Sequence, residues 1–329
     1  MSKYEPPFSI TGKILNLVSS ISEKVGKLDV YNDLDTKPIL RRNNRIKSVH
    51  SSLQIEANTL SEPMVKDILN GHYVAGPENE IKEVKNAFAA YDEIPSIDPF
   101  SLEDLKRIHG IMTNGLIGNP GMFREGGEGV FSGNACIFVA PPANMVPSLM
   151  ENLFDWMEAN RTVVHPLVMS CVFHYEFVFI HPFSDGNGRM ARLWQNTILS
   201  KWNPMFQYLP IESQIEKHQE NYYDAISKCN ASGNSTFFIE TMLGMIDETI
   251  QWALEQHAKD QGLTPQLDNL LTVMEYDVPY TANALLSRLG LKSKEALRRN
   301  YIGPAMENGY VEMTVGDKRT SRNQRYVKR

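Results

Sequence analysis

The chain has 329 residues, 42% of them hydrophobic and 22% charged, and its formal net charge is −6. These values are typical of a globular protein with one large and one small domain, and they argue against a chain that binds nucleic acid over its whole surface. No apolar run reaches the length of a membrane span, and the first residues lack the apolar core of a signal peptide. The three cysteines, Cys136, Cys171 and Cys229, form no CxxC pair and predict reduced thiols. We therefore expect a cytoplasmic protein without a membrane partner.

Most of the chain has the pattern of α-helices. A run from residue 40 to 55 is basic and amphipathic, with Ile46, Val49 and Leu53 along its apolar stripe. Ser61 and Ser101 each precede an apolar-periodic stretch and are candidate helix N-caps. Clusters of Gly, Pro, Asn and Ser separate the segments. Beyond the first run, helices are predicted at residues 61–70, 80–91, 101–111, 146–158, 166–180, 211–229 and 236–259.

Residues 261–329 have a pattern of their own. Helices are predicted at 266–274, 281–289 and 293–308, and two strands at 310–315 and 324–327 flank a basic hairpin. This order, with a tight turn at residues 289–291, is typical of a winged helix-turn-helix. The segment holds eleven Lys or Arg against seven Asp or Glu, so DNA is one candidate partner, although winged helices also bind proteins. The basic residues that would meet phosphates are Lys292, Lys294, Arg298, Arg299, Lys318, Arg319 and Arg322.

The most informative stretch of the chain runs from His181 to Arg192 and reads His-Pro-Phe-Ser-Asp-Gly-Asn-Gly-Arg-Met-Ala-Arg. It combines a base, a carboxylate, a glycine-rich turn and two arginines, which are the groups needed to bind and transfer a nucleotide phosphate. A buried helix is predicted before it, and the Gly-Asn-Gly at 186–188 would turn the chain into a second helix through residue 198. The N–H groups at the start of that helix would bind an anion, with Arg189 and Arg192 projecting toward it from one helical face.

Other readings of this stretch are weaker. Its glycines fit the dinucleotide-binding fingerprint loosely, but that motif needs a preceding strand within a βαβ unit, and the sequence predicts neither. A lone histidine beside an apolar run is more often a core residue, and Gly-Asn-Gly is more often only a turn. Because all of these groups occur together in a fixed order, the sequence favours a phosphate site over a coincidence.

The same stretch resembles the signature of the Fic family, His-x-Phe-x-Asp/Glu-Gly-Asn-Gly-Arg-x-x-Arg, at every defining position. Enzymes of this family typically transfer AMP from ATP to a protein hydroxyl, and their architecture is a mainly α-helical bundle with a β-hairpin flap. The resemblance implies that His181 is the general base for a Ser, Thr or Tyr hydroxyl and that Asp185 holds Mg²⁺, for which Mn²⁺ is an alternative. Phe183 would be a core anchor. The phosphates would be bound by Gly186, Asn187, Gly188, Arg189 and Arg192.

Two further segments resemble parts of that family. Residues 124–142 resemble its flap, and a glycine-rich stretch that ends at two prolines is a hairpin signal in its own right. By resemblance, an extended target segment would dock along this hairpin by strand addition. The flap residues at the site would be Val130, Phe131, Ser132 and Gly133. The resemblance also assigns an adenine and ribose pocket to Tyr222, Tyr223 and Asn230. The alternatives are an ordinary surface hairpin and core aromatic residues.

A second motif lies far upstream, at Ser52 and Glu56. The two residues are four apart and share one face of the helix predicted at 40–55. Alone they indicate only a solvated helix end, but beside the Fic signature they resemble the family's inhibitory motif, Ser/Thr-x-x-x-Glu-Gly/Asn. Here Ala57 follows the glutamate, and Asn58 comes next. The resemblance implies an intramolecular salt bridge from Glu56 to Arg192 that holds ATP in a non-productive pose.

Functions from two different classes therefore remain open. The first is a self-inhibited protein adenylyltransferase that modifies a target protein or itself and releases pyrophosphate. The second is a DNA-binding regulator whose Fic-like part senses nucleotide. The presence of His181 favours the first, because a sensor needs no base. Within the first, another donor such as UTP, or removal of AMP with Glu56 activating a water, also remains open.

The expected organisation of the chain has three parts. Residues 1–100 would form an N-terminal helical region with the inhibitory helix at about 40–57. Residues 101–260 would form the catalytic domain, and residues 261–329 the winged-helix-like domain. A homo-oligomer is a further candidate, since an interface between copies could hold the inhibitory helix in place.

Overall fold

The structure is a computed structural model that describes residues 4–31, 38–127, 129–132, 135–260, 264–314 and 324–328. The chain divides into two compact units, one of residues 1–30 and 45–251 and the other of residues 31–44 and 252–329. The three-part division at residues 100 and 260 stays a prediction. Among the described residues, no helix combines the length and the apolar character needed to span a bilayer.

The first unit is built almost entirely of α-helices, so the predicted mainly α fold is confirmed. Short 3₁₀ turns at Ile94–Ser96, Ala143–Met145 and Pro204–Tyr208 join some of its helices. Three of the helices, α1, α2 and α11, also include residues of the second unit. The helices are α1 (Gly12–Tyr31), α2 (Pro38–Ile55), α3 (Glu62–Leu69), α4 (Glu78–Asp92), α5 (Leu102–Met112), α6 (Val146–Asn160), α7 (Pro166–Ile180), α8 (Asn187–Trp202), α9 (Ile211–Lys217), α10 (Gln219–Ser232) and α11 (Thr236–Asp260).

Helices α7 and α8 form the centre of this unit. Helix α7 is apolar on all sides and has no hydrophilic face, as expected for a helix enclosed by others. The ring of Phe173 in α7 lies 6.2 Å from that of Trp194 in α8, and both side chains are fully buried. Phe154 of α6 packs edge-on against Phe173 at 5.9 Å. The predicted buried helix before the motif is therefore confirmed, and the loop between α7 and α8 carries the motif.

Two features of the first unit differ from the sequence-based prediction. No helix was predicted before residue 40, yet α1 buries Ile14, Ile21 and Val25, and its Lys24 pairs with Asp247 of α11 at 2.8 Å. The single helix predicted at 211–229 is two helices, α9 and α10, with His218 between them at φ −115° and ψ 34°. Neither proline nor glycine marks that break, so the helical period runs across it unchanged.

The predicted hairpin is present. Strands β1 (Gly129–Ser132) and β2 (Ala135–Val139) pair antiparallel, with Val130 opposite Phe138 and Phe131 opposite Cys136. The register shifts between Val130 and Phe131, which is the signature of a β-bulge. Gly133, assigned to the flap from the sequence, lies outside the described residues.

The second unit combines short helices with a small sheet around its own apolar core. The described helices are α12 (Pro265–Val273), α13 (Ala282–Arg288), α14 (Lys294–Leu297) and α15 (Gly303–Glu307), with a π-helical turn at Arg298–Ile302. Strands β3 (Pro279–Tyr280), β4 (Val311–Met313) and β5 (Tyr326–Lys328) form an antiparallel sheet in the order β3-β5-β4. Leu270, Leu285 and Leu297 are completely buried in the core.

The helix predicted at 293–308 is thus interrupted by a π-helical turn. Pro304 lacks an N–H group and its ring crowds the carbonyl of the residue four positions earlier, which favours a wider turn at this point. Strand β3 was not predicted, since two residues carry no periodic signal. The basic hairpin predicted at 316–323 lies outside the described residues, and with it Lys318, Arg319 and Arg322.

Candidate functional site

The motif loop joins the C-terminal end of α7 to the N-terminal end of α8. Helix α7 ends at Ile180, and its C-cap, His181, adopts the left-handed conformation with φ 51° and ψ 59°. Gly186 is the N-cap of α8 and is also left-handed, with φ 80°. The side chain of Asn187 accepts a hydrogen bond from Phe183 N at 3.0 Å and donates one to Phe183 O at 2.7 Å, which closes the loop on itself. The loop therefore presents His181 and the start of α8 as one local unit.

His109 of α5 packs against this loop. The sequence analysis did not identify it. Its ring stacks on Phe183 with a centroid distance of 3.6 Å. Gly121 N donates to its Nδ1 at 2.9 Å, so its Nε2 carries the proton that is donated to Asp185 O at 3.0 Å. Burial lowers the pKa of His109 to about 4, consistent with a neutral ring that serves as both acceptor and donor.

Arg192 is almost fully buried and is held by the end of helix α2. Its Nε donates to Ser52 Oγ at 3.0 Å, and its Nη2 donates to Ser52 O at 2.9 Å and to Glu56 Oε1 at 2.7 Å. The salt bridge between Glu56 and Arg192 expected from the sequence is therefore present. Burial by itself lowers the pKa of Arg192, but Glu56 and Tyr222 raise it, and the net pKa lies above its ordinary value.

Arg189 is held by two carboxylates. Its Nη2 lies 2.9 Å from Asp185 Oδ1, and its Nη1 lies 3.2 Å from Glu83 Oε1 in α4. Glu83 Oε2 in turn accepts a hydrogen bond from Asn58 Nδ2 at 2.9 Å. Glu83 is a second site residue that the sequence analysis did not identify. Both arginines of the motif thus pair with carboxylates from the N-terminal part of the chain.

The Glu56 carboxylate lies directly against Gly188 in the first turn of α8. A Cβ atom added to Gly188 would collide with Glu56 Oε1 and would lie 3.1 Å from Arg192 Nη1. The N-terminal turn of a helix attracts negative charge through its unpaired N–H groups and its dipole. The carboxylate therefore lies beside the position that the motif would offer to a phosphate.

Asp185 is the candidate metal ligand of the motif. Its side chain is half exposed, and its Oδ1 accepts hydrogen bonds from Gly186 N at 2.6 Å and from Arg189 Nη2. Across the described residues, no group of three or more His, Cys, Asp or Glu side chains is placed to hold a metal ion. A hard oxygen ligand of this kind suits Mg²⁺ or Mn²⁺ when nucleotide phosphates supply the other oxygens.

The three residues assigned to the adenine and ribose pocket have different surroundings. Tyr222 is buried, and its Oη lies 3.0 Å from Nε2 of His174, whose pKa burial lowers to about 3. Tyr223 is half exposed and its Oη lies 3.5 Å from Ile55 O at the end of α2. Asn230 Oδ1 accepts from Tyr175 Oη at 3.0 Å. The structure thus brings the two tyrosines close to Arg192 and Glu56, whose charges act on both of their hydroxyls.

The chain matches two family models. The model of the Fic/DOC family matches residues 99–199, which include the motif loop and helix α8 up to residue 199. The model described as the C-terminal domain of the Fic-like protein "filamentation induced by cAMP" matches residues 265–327. The two matches fall within the first and the second unit, respectively.

Similar proteins include members of the Fic family with known structures and names. A Fic family protein from Desulfovibrio desulfuricans G20 is 41% identical, with a TM-score of 0.75, over 99% of this chain and 98% of that one. Fic-1 from Caenorhabditis elegans shares the fold, with a TM-score of 0.59 at 23% identity, over 75% of this chain and 73% of that one. The protein adenylyltransferase Fic of Aedes aegypti is 28% identical over 240 residues, which are 68% of this chain and 45% of that protein. The chain therefore spans less than half the length of this curated relative.

Proposed function

The chain belongs to the Fic family, and from that premise we propose that it is a protein adenylyltransferase restrained by its own Glu56. The hydroxyl oxygen of a target Ser, Thr or Tyr attacks the α-phosphorus of ATP, the bond to the bridging oxygen breaks, and pyrophosphate leaves. His181 takes the proton of the attacking hydroxyl, which is a weak nucleophile until it loses that proton. The products are an AMP-modified protein and pyrophosphate.

The observation that carries this proposal is the loop that places His181 and the N-terminal turn of α8 side by side. Phosphoryl chemistry depends mainly on positioning and on stabilising charge, and this loop supplies both a base and an anion site. The backbone at Gly186, Asn187 and Gly188 would cradle the phosphates, and Arg189 and Arg192 would bind the β- and γ-phosphates. A divalent cation on Asp185, Mg²⁺ or Mn²⁺, would offset the charge of the departing pyrophosphate.

The contacts of Glu56 are the observations that support the proposed restraint. Its Oε1 lies 2.7 Å from Arg192 Nη2, and the carboxylate lies against Gly188. A γ-phosphate and this side chain would therefore compete for the same guanidinium. Ser52 binds the same arginine through both its hydroxyl and its carbonyl, which fixes α2 to α8 at this point. Release of Glu56 is therefore the step that allows a productive ATP pose.

The remaining assignments complete the substrate site. A target segment would add as a strand to the flap at β1, which places its hydroxyl beside His181. Tyr222, Tyr223 and Asn230 would line the adenine and ribose pocket, and their position on α10 beside the end of α2 supports this for the two tyrosines. The target can be another protein or a second copy of this chain, and auto-modification is the reaction to measure first.

The test is the intact mass of the purified protein after incubation with ATP and Mg²⁺. We compare the wild type, Glu56→Gly and Glu56→Gly/His181→Ala. An adduct with the mass of AMP is expected in Glu56→Gly, because Arg192 is then available for the γ-phosphate. The double variant should carry none, because it lacks the base. Glu62→Gly, a change of an exposed glutamate on α3, should behave as the wild type.

The outcomes of this test separate the parts of the proposal. An equal adduct in the wild type and Glu56→Gly contradicts the restraint by Glu56. An equal adduct with and without His181 contradicts its role as the base. Loss of a pre-existing AMP adduct from the wild type alone would favour the bifunctional alternative, in which Glu56 activates a water and the enzyme also removes AMP.

A second candidate function concerns the second unit. Lys292, Lys294, Arg298 and Arg299 are exposed in and just before the helical segment that follows the tight turn at Gly290. In a winged helix-turn-helix this segment is the one that enters the major groove of DNA. We propose DNA binding as the alternative role, in which the first unit senses nucleotide instead of transferring it.

A further inference from the structure

Arg124 connects the flap to the residue that carries the base. Its side chain is 3% exposed, yet it follows a surface turn and is absent from the motif. Its Nε donates to His181 O at 2.6 Å, and its Nη2 donates to Ile180 O at 3.3 Å. Its Nη1 donates to Gly126 O at 2.7 Å, and Nη2 also donates to Pro141 O at 2.6 Å. One guanidinium thus holds four carbonyl oxygens from two separate parts of the chain.

Two of these carbonyls belong to the base-bearing end of α7. His181 is one of three non-glycine residues in the described chain with a positive φ, a conformation that L-residues adopt only when their surroundings hold it. His181 N donates to Phe177 O at 2.9 Å, and His181 O is fixed by Arg124. The next carbonyl, Pro182 O, accepts from the backbone N of Arg124 at 2.9 Å. Arg124 therefore fixes the backbone conformation from which the imidazole projects.

The other two carbonyls belong to the root of the flap. Gly126 lies three residues before β1, and Pro141 lies two residues after β2. The guanidinium bonds to both, so it ties the incoming and the outgoing chain of the hairpin together at their base. A charged donor shared by several carbonyls in a buried site makes stronger bonds than a neutral donor does. The edge of the flap and the backbone of His181 are consequently tied to one side chain.

We propose that Arg124 is a positioning residue that sets the register between the flap and His181. This inference rests on the proposed transfer reaction, because the strand added to the flap would carry the hydroxyl that His181 deprotonates. Among the described residues, the guanidinium bonds to four backbone carbonyls that belong to the end of α7 and to the root of the hairpin, and we infer that it acts on the reaction through these two elements. Arg124 is accordingly distinct from Arg189 and Arg192, which would bind the phosphates.

This role predicts that turnover and ATP binding respond differently to a change at Arg124. A displacement of about 1 Å between reacting groups can cost on the order of 100-fold in rate. Lysine keeps the charge but offers one nitrogen, which cannot reach four carbonyls in fixed directions. The phosphate-binding arginines and Gly188 lie in α8 and are not altered by the substitution. The rate of transfer should therefore fall while ATP affinity persists.

The experiment uses the full chain with Glu56→Gly, so that transfer is not restrained. In this background Arg124→Lys and Arg124→Gln should each lower the rate of AMP transfer about 100-fold and leave the Kd for ATP within about 2-fold. Arg107→Lys is the matched control, because Arg107 is half exposed and pairs with Glu93 and Asp104 away from the loop. An unchanged transfer rate, or a parallel loss of transfer and ATP affinity, overturns the inference.

Hydrogen exchange provides a readout that does not need activity. In Arg124→Lys the amides at the root of the flap, residues 126, 127, 139 and 140, and those of residues 180 and 181 should exchange at least about 10-fold faster than in Arg107→Lys, with α8 unchanged. If Glu56→Gly transfers AMP neither to itself nor to another protein, the proposed function fails, and this measurement still decides whether Arg124 connects the flap to His181. Equal hydrogen-exchange rates in Arg124→Lys and Arg107→Lys would show that Arg124 does not connect the flap to His181.

Discussion

Gly188 shows how little space the first turn of α8 leaves for both a carboxylate and a side chain. A Cβ atom added to Gly188 would collide with Glu56 Oε1, and its next neighbour would be Arg192 Nη1, 3.1 Å from that added atom. Glycine at this position therefore lets a charged oxygen approach the N–H groups of the helix, whether that oxygen belongs to Glu56 or to a phosphate.

The contact predicts a stability effect that depends on Glu56. Gly188→Ala should lower the free energy of unfolding of the wild type by about 1–3 kcal/mol, because Glu56 must leave its place on Arg192. In Glu56→Gly the same change should be close to neutral or slightly stabilising, since alanine favours the helix. Urea titrations of the four proteins measure the difference.

Gly118→Ala is the control for this cycle, because no atom of a residue beyond its two chain neighbours lies within 4 Å of the added methyl group. It should have the same small effect in both backgrounds. A cost of Gly188→Ala that does not change when Glu56 is removed would show that the two residues do not compete for space.

Single residues also show what the sequence can and cannot reveal about the site. His181, Asp185 and Arg189 lie within one turn and one helix start, so their proximity follows from local geometry alone. Arg192 meets Glu56 across 136 positions, and only the family resemblance indicated that contact. His109, Glu83 and Arg124 were missed. His109 and Arg124 bind backbone carbonyls, Glu83 pairs with an arginine 106 positions away, and none of these contacts leaves a residue pattern in the sequence.

Among the helices, α9 begins with a carboxylate enclosed by its neighbours. Glu212 is 1% exposed, and its Oε1 accepts hydrogen bonds from Tyr91 Oη of α4 and Asn196 Nδ2 of α8, both at 2.7 Å. Burial raises the pKa of Glu212 above its ordinary value of 4.5. The folded state therefore binds a proton on this group more tightly than the unfolded chain does.

The raised pKa of Glu212 predicts how a variant depends on pH. Because the folded pKa is above the unfolded one, the group contributes most stability below the unfolded pKa and loses that contribution as pH rises through the folded pKa. Glu212→Gln keeps an acceptor oxygen for Tyr91 and Asn196 and carries no charge to desolvate. The free energy of unfolding of the variant relative to the wild type should therefore increase from about pH 4 to about pH 8.

Urea titrations across this pH range provide the measurement. Glu158→Gln is the matched control, because Glu158 is exposed and pairs with Arg161 on the surface. Its effect should vary little with pH. A relative stability of Glu212→Gln that falls as pH rises would mean that attraction to nearby arginines exceeds the cost of burial.

For the helices and strands, the sequence was most informative where local signals within one segment determine its secondary structure. The apolar α7 and the Ser101-capped α5 were predicted within a few residues, because composition and capping are local signals. The interruption between α9 and α10 was not, since the helical period continues through His218. Helix α1 was overlooked although Ile14, Ile21 and Val25 repeat at helical spacing, because serine, glycine and lysine dilute its apolar stripe.

At the scale of the whole molecule the two units differ in the chemistry that they expose. The first carries the motif loop, and the second carries exposed basic side chains on and next to a short helical segment. A basic face is often only a solvated surface, so its charge alone does not define a partner. In a winged helix this basic face would lie where DNA enters, so binding to a DNA duplex tests its role.

Binding of the full chain to a short DNA duplex at low salt tests this second role. If the basic segment meets phosphates, binding should be in the micromolar range and weaken steeply with salt. Lys294→Glu/Arg298→Glu should weaken DNA binding about 10-fold or more while the affinity of the first unit for ATP stays unchanged. Lys217→Glu/Lys228→Glu, at exposed positions on α9 and α10 of the first unit, changes the net charge equally and is the control. No binding to any duplex at low salt rejects the DNA role.

The partial exposure of Glu56 also determines the fraction of molecules in which its ion pair with Arg192 is broken. A hydrogen-bonded ion pair with one partly solvated partner stabilises a conformation by about 2 kcal/mol, which leaves on the order of 3% of molecules with the contact broken. Ser52 binds Arg192 independently through its hydroxyl and its carbonyl, so two hydrogen bonds of the arginine do not require Glu56. In the proposed enzyme the restraint is therefore an equilibrium, and a small fraction of molecules transfers AMP at any time. A ligand that binds more tightly to the form without the Glu56–Arg192 contact raises the population of that form and with it the rate of AMP transfer.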